Sequence, residues 1–338
     1  MTLHPSLSSP TAPSTRLRRR TLKDRFLANG GVGSIAVFFV VVAVLFSLTT
    51  DDFLSVANIL NILRQSSPLL IVAAAMTLVI TTGGIDLSVG SILALVSAVC
   101  AVVLQWGLPW PLVVVAMLAG GGLIGAVQGF FVAYEGIPAF IVTLAGLSVI
   151  RGFALLMTGG YSIPIASTTS FVALGRGWLL GVPAPAWIAV VVLVIATVLF
   201  NQTAFGRHVT GIGANAEAVR RAGVNTRRTT LLVYMLSGAM AALAGIVLAA
   251  RLGSGSSNAG QGFELEVIAA VVLGGTSLFG GRGTLVGTVL GALTVAVIGN
   301  GLILAHLSPF LTPIVTGIII LVAIWLNFRI FRGSIRTR

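Results

Sequence analysis

The stretch "TLVITTGGIDLSVGSILAL", residues 77–95, decides how this chain folds. It joins two apolar runs that together cover 67–104 almost without a break. As one α-helix, those residues would extend about 57 Å at about 1.5 Å each. That is nearly twice the hydrocarbon thickness of about 30 Å in a bilayer. The run must fold back, and Gly83-Gly84 is the corner, because glycine tolerates the backbone angles of a tight turn. Asp86 follows at once, with Ser88 and Gly90 close behind. A carboxylate between greasy runs is costly unless its surroundings compensate. Two readings stay open: Asp86 caps the following helix by accepting unpaired backbone N–H groups, or it belongs to a solute path or gate.

Composition agrees with a membrane-embedded chain. Of 338 residues, 57% are hydrophobic and only 8% charged, against about 25% charged in soluble domains. Mean hydropathy is +1.07. The reading is an all-α, polytopic protein of about ten spans, near 32–49, 66–82, 87–105, 111–133, 138–157, 185–201, 229–250, 263–279, 285–305 and 310–328. A single transmembrane domain thus covers 32–328. It lies between a Ser/Thr/Pro/Arg-rich flexible tail at 1–31 and a basic segment at 329–338. The first apolar run follows basic residues as a signal peptide would, but it has no convincing small-residue cleavage site and reads as a retained helix.

The net charge of +12 does not indicate nucleic acid, because no soluble basic face is available. Six basic residues lie in 16–25, five in 207–228 and four in 329–338. With ten spans and an internal N-terminus, sixteen basic residues fall on the cytoplasmic side and three, Arg64, Arg176 and Arg251, outside. The positive-inside bias therefore puts both termini in the cytoplasm. A second corner, "GGTSLFGGRG" at 274–283, resembles the first. Gly83, Gly84, Gly90, Gly274 and Gly275 are assigned to structural turns. Segments such as "AGGGLIGAVQG" (119–129) place small residues where helices approach closely.

Several chemistries are excluded. The lone lysine, Lys23, stands in no phosphate-binding loop. His4, His208 and His306 are scattered, and Cys100 is the single cysteine, so no metal or disulfide framework is expected. With no nucleophile–base set in the spans, the chain reads as a non-catalytic conduit across a bilayer. Intramembrane ionisable groups are few: Asp86 and Arg151, with Glu264 and Glu266 at the start of the eighth span. That set is thin for an ion-coupled secondary sugar carrier, the alternative reading. Neutral polar side chains are plentiful and suit a hydroxyl-rich solute. The candidates for path or gate are Thr77, Thr81, Asp86, Ser88, Gln128, Thr276 and Asn300. Local bonding to backbone or neighbouring helices is the plainer role for any one of them.

Within 202–228, "GANAEAVRRAGVNTRR" reads as a helix of about two turns. Asn215 is its N-cap and Glu217 complements the dipole in the first turn. Arg220 and Arg221 fill the last turn, and Gly223 stops it. Too short to persist alone in water, it packs on either the membrane surface or a docking partner.

Three motifs carry a resemblance: residues 77–95, "GRHVTGIGANAEAVRRAGVNTRR" (206–228) and "GFELEVIAAVVLGGTSLFGGRGTLVGTVLGAL" (262–293). In this order they look like the permease subunit of bacterial ABC importers for ribose and related sugars, over about 35–328. The resemblance implies a type II, vitamin-B12-importer-like fold in the inner membrane. It also implies a second permease copy, a separate ATPase with two nucleotide-binding domains, and a periplasmic sugar-binding protein. ATP and Mg would be bound by that ATPase, with no cofactor in this chain. Gly213, Asn215, Glu217, Arg220, Arg221 and Gly223 would form the coupling helix against the ATPase. Asp51, Asp52 and Arg64, outside, are candidates for docking the binding protein, with plain solvated charge the alternative.

Overall fold

The computed structural model describes residues 30–307 and, beyond them, 311, 314, 317, 318, 321, 322 and 325. Ten helices of eleven residues or more order these residues. They are α1 Gly30–Thr49, α2 Val56–Thr81, α3 Val89–Gln105, α4 Trp110–Ala133, α5 Ala139–Thr158, α6 Ala184–Gln202, α7 Ala204–Arg221, α8 Thr226–Leu252, α9 Phe263–Leu273 and α10 Leu285–Leu304. Between α5 and α6, and after α8, lie four two-residue strands: β1 Ile163–Pro164, β2 Trp178–Leu179, β3 Val182–Pro183 and β4 Ser254–Gly255. β1 pairs antiparallel with β4, and β2 with β3. The chain is thus helical and polytopic, as its composition requires.

Seven helices, α1, α2, α4, α5, α6, α8 and α10, are long and apolar enough to cross a membrane. The remaining expectations differ in instructive ways. α3 has 17 residues, about 26 Å of rise, slightly short of the core. The span expected at 263–279 is helical only over the 11 residues of α9, about 16 Å, which is half a crossing. It stops at Gly274-Gly275, where Gly275 takes φ +90°, a conformation that ends a helix. α2 starts ten residues before the expected 66, because Ser55 Oγ accepts the Asn58 N–H at 3.2 Å and caps it there. Ten of the sixteen residues of the supposed outside segment 50–65 are therefore helix, and Pro68 sits inside α2. The expected span at 310–328 lies largely outside the described residues, though 314, 317, 318, 321, 322 and 325 are helical. The tails expected at 1–31 and 329–338 lie outside them too, save Gly30 and Gly31, with which α1 opens.

α8 and α2 form the centre. α8 packs against α4, α3 and α2, while α2 also meets α6, α9 and α10; α1 rests on α10. The core is built from Ile71, Val72, Met76, Ile92, Tyr234 and Ile246, each essentially inaccessible. The α4–α8 contact is close because Gly121, Gly125 and Gly129 form one stripe facing α8. A Cβ on Gly125 would strike the Tyr234 backbone, and one on Gly121 the Gly238 carbonyl and Ala242. Small residues at four-residue spacing let two backbones approach in a medium that offers no hydrophobic drive between helices.

Candidate functional site

A cleft of ≈ 740 Å³ opens among the first half of α2, the last turns of α8, the start of α9 and the second half of α10. Leu69, Leu248, Phe263 and Val295 supply apolar wall; Gln65, Arg251, Gln261, Glu266 and Asn300 supply polar groups. α9 begins at this cleft. Its first turn carries Glu264 and Glu266, which suit the positive end of a helix dipole. The rim ahead of α9 is held by Arg151 from within α5. Its Nη1 donates to the Ser257 and Ala259 carbonyls, both at 2.7 Å, and Nη2 to Gly260 at 3.3 Å. A half-buried guanidinium on an apolar helix needs such acceptors, and here they are the backbone of the rim itself.

Asn300 meets Asn58 in a reciprocal amide pair, each Nδ2 donating to the other's Oδ1 at 2.9 Å. Asn58 Nδ2 also donates to the Phe53 carbonyl. This pair joins α2 to α10 beside the cleft.

The corner between α2 and α3 lies at the other end of α2. Gly83 turns it with φ +86°. Asp86 is fully buried. Its Oδ1 accepts the Ser88 amide at 2.9 Å and the Ser88 hydroxyl at 2.7 Å, and its Oδ2 accepts the Ser237 hydroxyl at 2.7 Å. Ser88 itself occupies the N-cap position of α3; Asp86 stands two residues earlier and ties that helix start to α8. Ser88 Oγ also lies 3.0 Å from Gln128 Oε1 of α4, so the corner, α3 and α8 meet at the carboxylate and α4 joins them through Ser88. Ser237 is the residue of this group that the sequence reading left out of the site. Its serine in an apolar span was the available signal.

The remaining predicted residues fall into three places. Of the path candidates, only Asn300 lines the cleft. Thr77 and Thr81 are buried in helix contacts: Thr81 Oγ1 donates to the Thr77 carbonyl at 2.6 Å, and the Thr77 and Thr288 hydroxyls share a 2.8 Å bond. Thr276 Oγ1 accepts the Thr284 amide at 3.4 Å. One turn assignment is corrected, and Gly84 and Gly274 stay in their corners for reasons of space. Gly90 lies in the first turn of α3, where Glu264 and the Gly260 carbonyl leave no room for a Cβ. Gly84 is constrained by the Tyr234 hydroxyl, and Gly274, right-handed at φ −66°, by the Gly287 backbone. Asp51 and Asp52 are exposed, and the Arg64 guanidinium lies 4.7 Å from the Trp178 ring centre.

Residues 213–223 form a charged helical segment at the end opposite the cleft, where α2 finishes and α8 begins. It is the last part of α7, set off by a break at Asn215 (φ −165°, ψ 95°), so that 216–221 make the short helix of about two turns expected from the sequence. Asn215 Oδ1 accepts the Ala218 amide at 2.9 Å. Glu217 accepts from Arg220 Nε at 2.8 Å and Arg221 Nε at 2.9 Å. Gly223 follows at φ +86°. The hydrogen bonds from Arg221 and then Arg220 hold the Glu217 carboxyl below the usual glutamate range. These ion pairs are exposed and contribute little to the stability of the whole. They stiffen a short helix that presents its charges outward.

Comparison with known proteins places these features. A family model described as branched-chain amino acid transport system / permease component matches residues 58–324. The ribose import permease protein RbsC of Haemophilus influenzae is 39% identical over 85% of this chain and 90% of its own length. The probable ABC transporter permease protein YphD of Escherichia coli is 42% identical over 88% and 91%. The xylose transport system permease protein XylH of Escherichia coli is 35% identical over 89% and 94%. No solved structure gives a significant match. With the family model spanning both corners, the cleft and the charged helix, the chain belongs to the permease components of the branched-chain amino acid transport system family.

Proposed function

We propose that this chain is the membrane permease subunit of an ABC importer that moves a monosaccharide, ribose or a related pentose, across the bacterial inner membrane. The observation that carries the reading is the pairing of two features at opposite ends of one helical body. One is an open cleft with polar groups on apolar walls; the other is a stiff, outward-facing charged helix. A cleft with amides, a carboxylate and a guanidinium suits a neutral, hydroxyl-rich solute, since each such group offers a hydrogen bond to an OH. The relatives named for ribose import and xylose transport support the sugar class.

In this reading the fold is the type II importer arrangement, with about ten passes and both termini cytoplasmic. A separate ATPase with two nucleotide-binding domains docks on residues 213–223 and binds the ATP and Mg. A periplasmic binding protein delivers sugar at the cleft end, near Asp51, Asp52 and Arg64. A second copy of the permease completes the assembly.

The test is uptake of labelled ribose and xylose into proteoliposomes containing this chain with and without its ATPase and binding protein. ATP-driven accumulation that needs all three components is the expected result. Uncoupler-sensitive accumulation by this chain alone would refute it and favour an ion-coupled carrier.

A further inference from the structure

Two glycine corners almost two hundred residues apart meet at one point, and the charged helix starts on it. The Gly281 amide donates to the Thr81 carbonyl at 2.9 Å, joining the end of α2 to the corner that leads into α10. Gly213, two residues ahead of the Asn215 kink, lies against both groups: a Cβ there would overlap the Thr81 carbonyl and the Gly281 nitrogen. Gly280 faces the Gly83 nitrogen and the Gly213 backbone, and Gly281 faces Ala214. Nothing soft separates these three segments, because they touch backbone on backbone.

Close-packed contacts of this kind have low compressibility and transmit displacement instead of absorbing it. What lies beyond them gives the contact a use. From Thr81, α2 runs about 18 Å to Leu69 at the cleft, and from Leu285, α10 runs about 15 Å to Val295 on another wall. The bonds from Thr81 to Thr77 and from Thr77 to Thr288 tie the two helices together just above the joint.

We propose that Gly213 is a positioning residue for transport: it seats helix 215–221 directly on the ends of α2 and of the 276–283 corner, so that two walls of the cleft move with that helix. The proposal rests on the reading of residues 213–223 as the contact with the ATPase. It requires the joint to stay closed throughout the cycle.

The test uses the full transporter in proteoliposomes, reading sugar taken up per ATP hydrolysed. Gly213→Ala forces the segments apart, and misplacing a positioned contact by about 1 Å can cost up to about 100-fold. We expect uptake per ATP to fall by at least about tenfold while the ATPase still co-purifies and hydrolyses ATP. Gly152→Ala, in open space on α5, is the matched control and stays at wild type. A second variant, Ala214→Cys/Gly281→Cys, covers the case in which Gly213→Ala does not fold. The Ala214 Cβ lies 3.3 Å from where a Gly281 Cβ would stand, close to bridging range; because Gly281 takes φ +74°, the Gly281→Cys single variant is the folding reference for the pair. The oxidised form is expected to keep the uptake per ATP of its reduced form.

Unchanged coupling in Gly213→Ala would overturn the joint. So would failure of the two cysteines to bridge, or a bridge that stops uptake until reductant restores it. If the wild-type chain shows no ATP-driven uptake, the transport reading falls and the joint with it. Normal wild-type uptake with any of the three results above removes the joint alone.

Discussion

Asp86→Ala and Asp86→Asn together separate the two roles open to this aspartate. Its carboxyl is the acceptor for the Ser88 amide, the Ser88 hydroxyl and the Ser237 hydroxyl, all buried to 0% exposure. In the alanine variant the Ser88 hydroxyl keeps Gln128 Oε1 at 3.0 Å, but the Ser88 amide and the Ser237 hydroxyl lose their acceptor. An unsatisfied buried polar group costs about 1–3 kcal/mol, so two of them cost about 2–6 kcal/mol. The asparagine variant keeps an oxygen for Ser88 and offers an N–H to the Ser237 oxygen, so its loss stays below about 1.5 kcal/mol, one ordinary hydrogen bond. The assay is thermal unfolding of the detergent-solubilised chain. About 1 kcal/mol moves the midpoint by about 2–4 °C in domains of about 150–250 residues, so alanine lowers it by several degrees and asparagine by clearly less. A midpoint for Asp86→Ala equal to wild type, or one for asparagine as low as alanine's, would refute the reasoning. Uptake by the stable Asp86→Asn protein then decides the role. Retained uptake marks a structural pin, and lost uptake with intact stability marks a gate that needs the charge.

The remaining predictions concern the charged helix and the helix–helix stripe. Because Arg221 and Arg220 depress the Glu217 carboxyl, its contribution is present in full above the ordinary glutamate pKa of about 4.3. It is lost only as pH falls through the lower folded value. The protection of the 216–222 amides relative to their intrinsic exchange should therefore hold from neutral pH to about pH 4.3 and decline below, and in Glu217→Gln it should be lower and independent of pH in this range with the thermal midpoint unmoved. An exchange profile identical to wild type in Glu217→Gln would count against the ion-pair account. Gly125→Val inserts a side chain into the Tyr234 backbone and should cost about 1–3 kcal/mol of overpacking, read as a lower midpoint. Gly120→Ala, in open space on the same helix, should be neutral or stabilising.

The features legible in advance were those set by near neighbours in the chain. The corner at Gly83 followed from a run too long for one membrane crossing. The cap at Asn215, with Glu217 and two arginines behind it, followed from residue types spaced three and four apart, and the atoms lie where that spacing puts them. The end of α9 was misplaced by several residues. Leu278 and Phe279 resume the apolar pattern even though Gly274-Gly275 has already broken the helix. The start of α2 was missed because Ser55 and Asn58 look like loop residues until their hydrogen bond is seen.

The sequence by itself determined the class of molecule, its alternation of apolar runs with glycine corners and its one capped, charged helix. All three depend on hydropathy and backbone preference summed over short windows. Only the tertiary structure decided which residues line the cleft, that Asp86 reaches Ser237 across the body, and that Thr81, Gly213 and Gly281 share one joint. The physical reason lies in the spans themselves. Helices that are apolar all round carry no polar stripe to say which face turns inward. Their packing is then set by close backbone approach and a few buried hydrogen bonds between partners far apart in the chain.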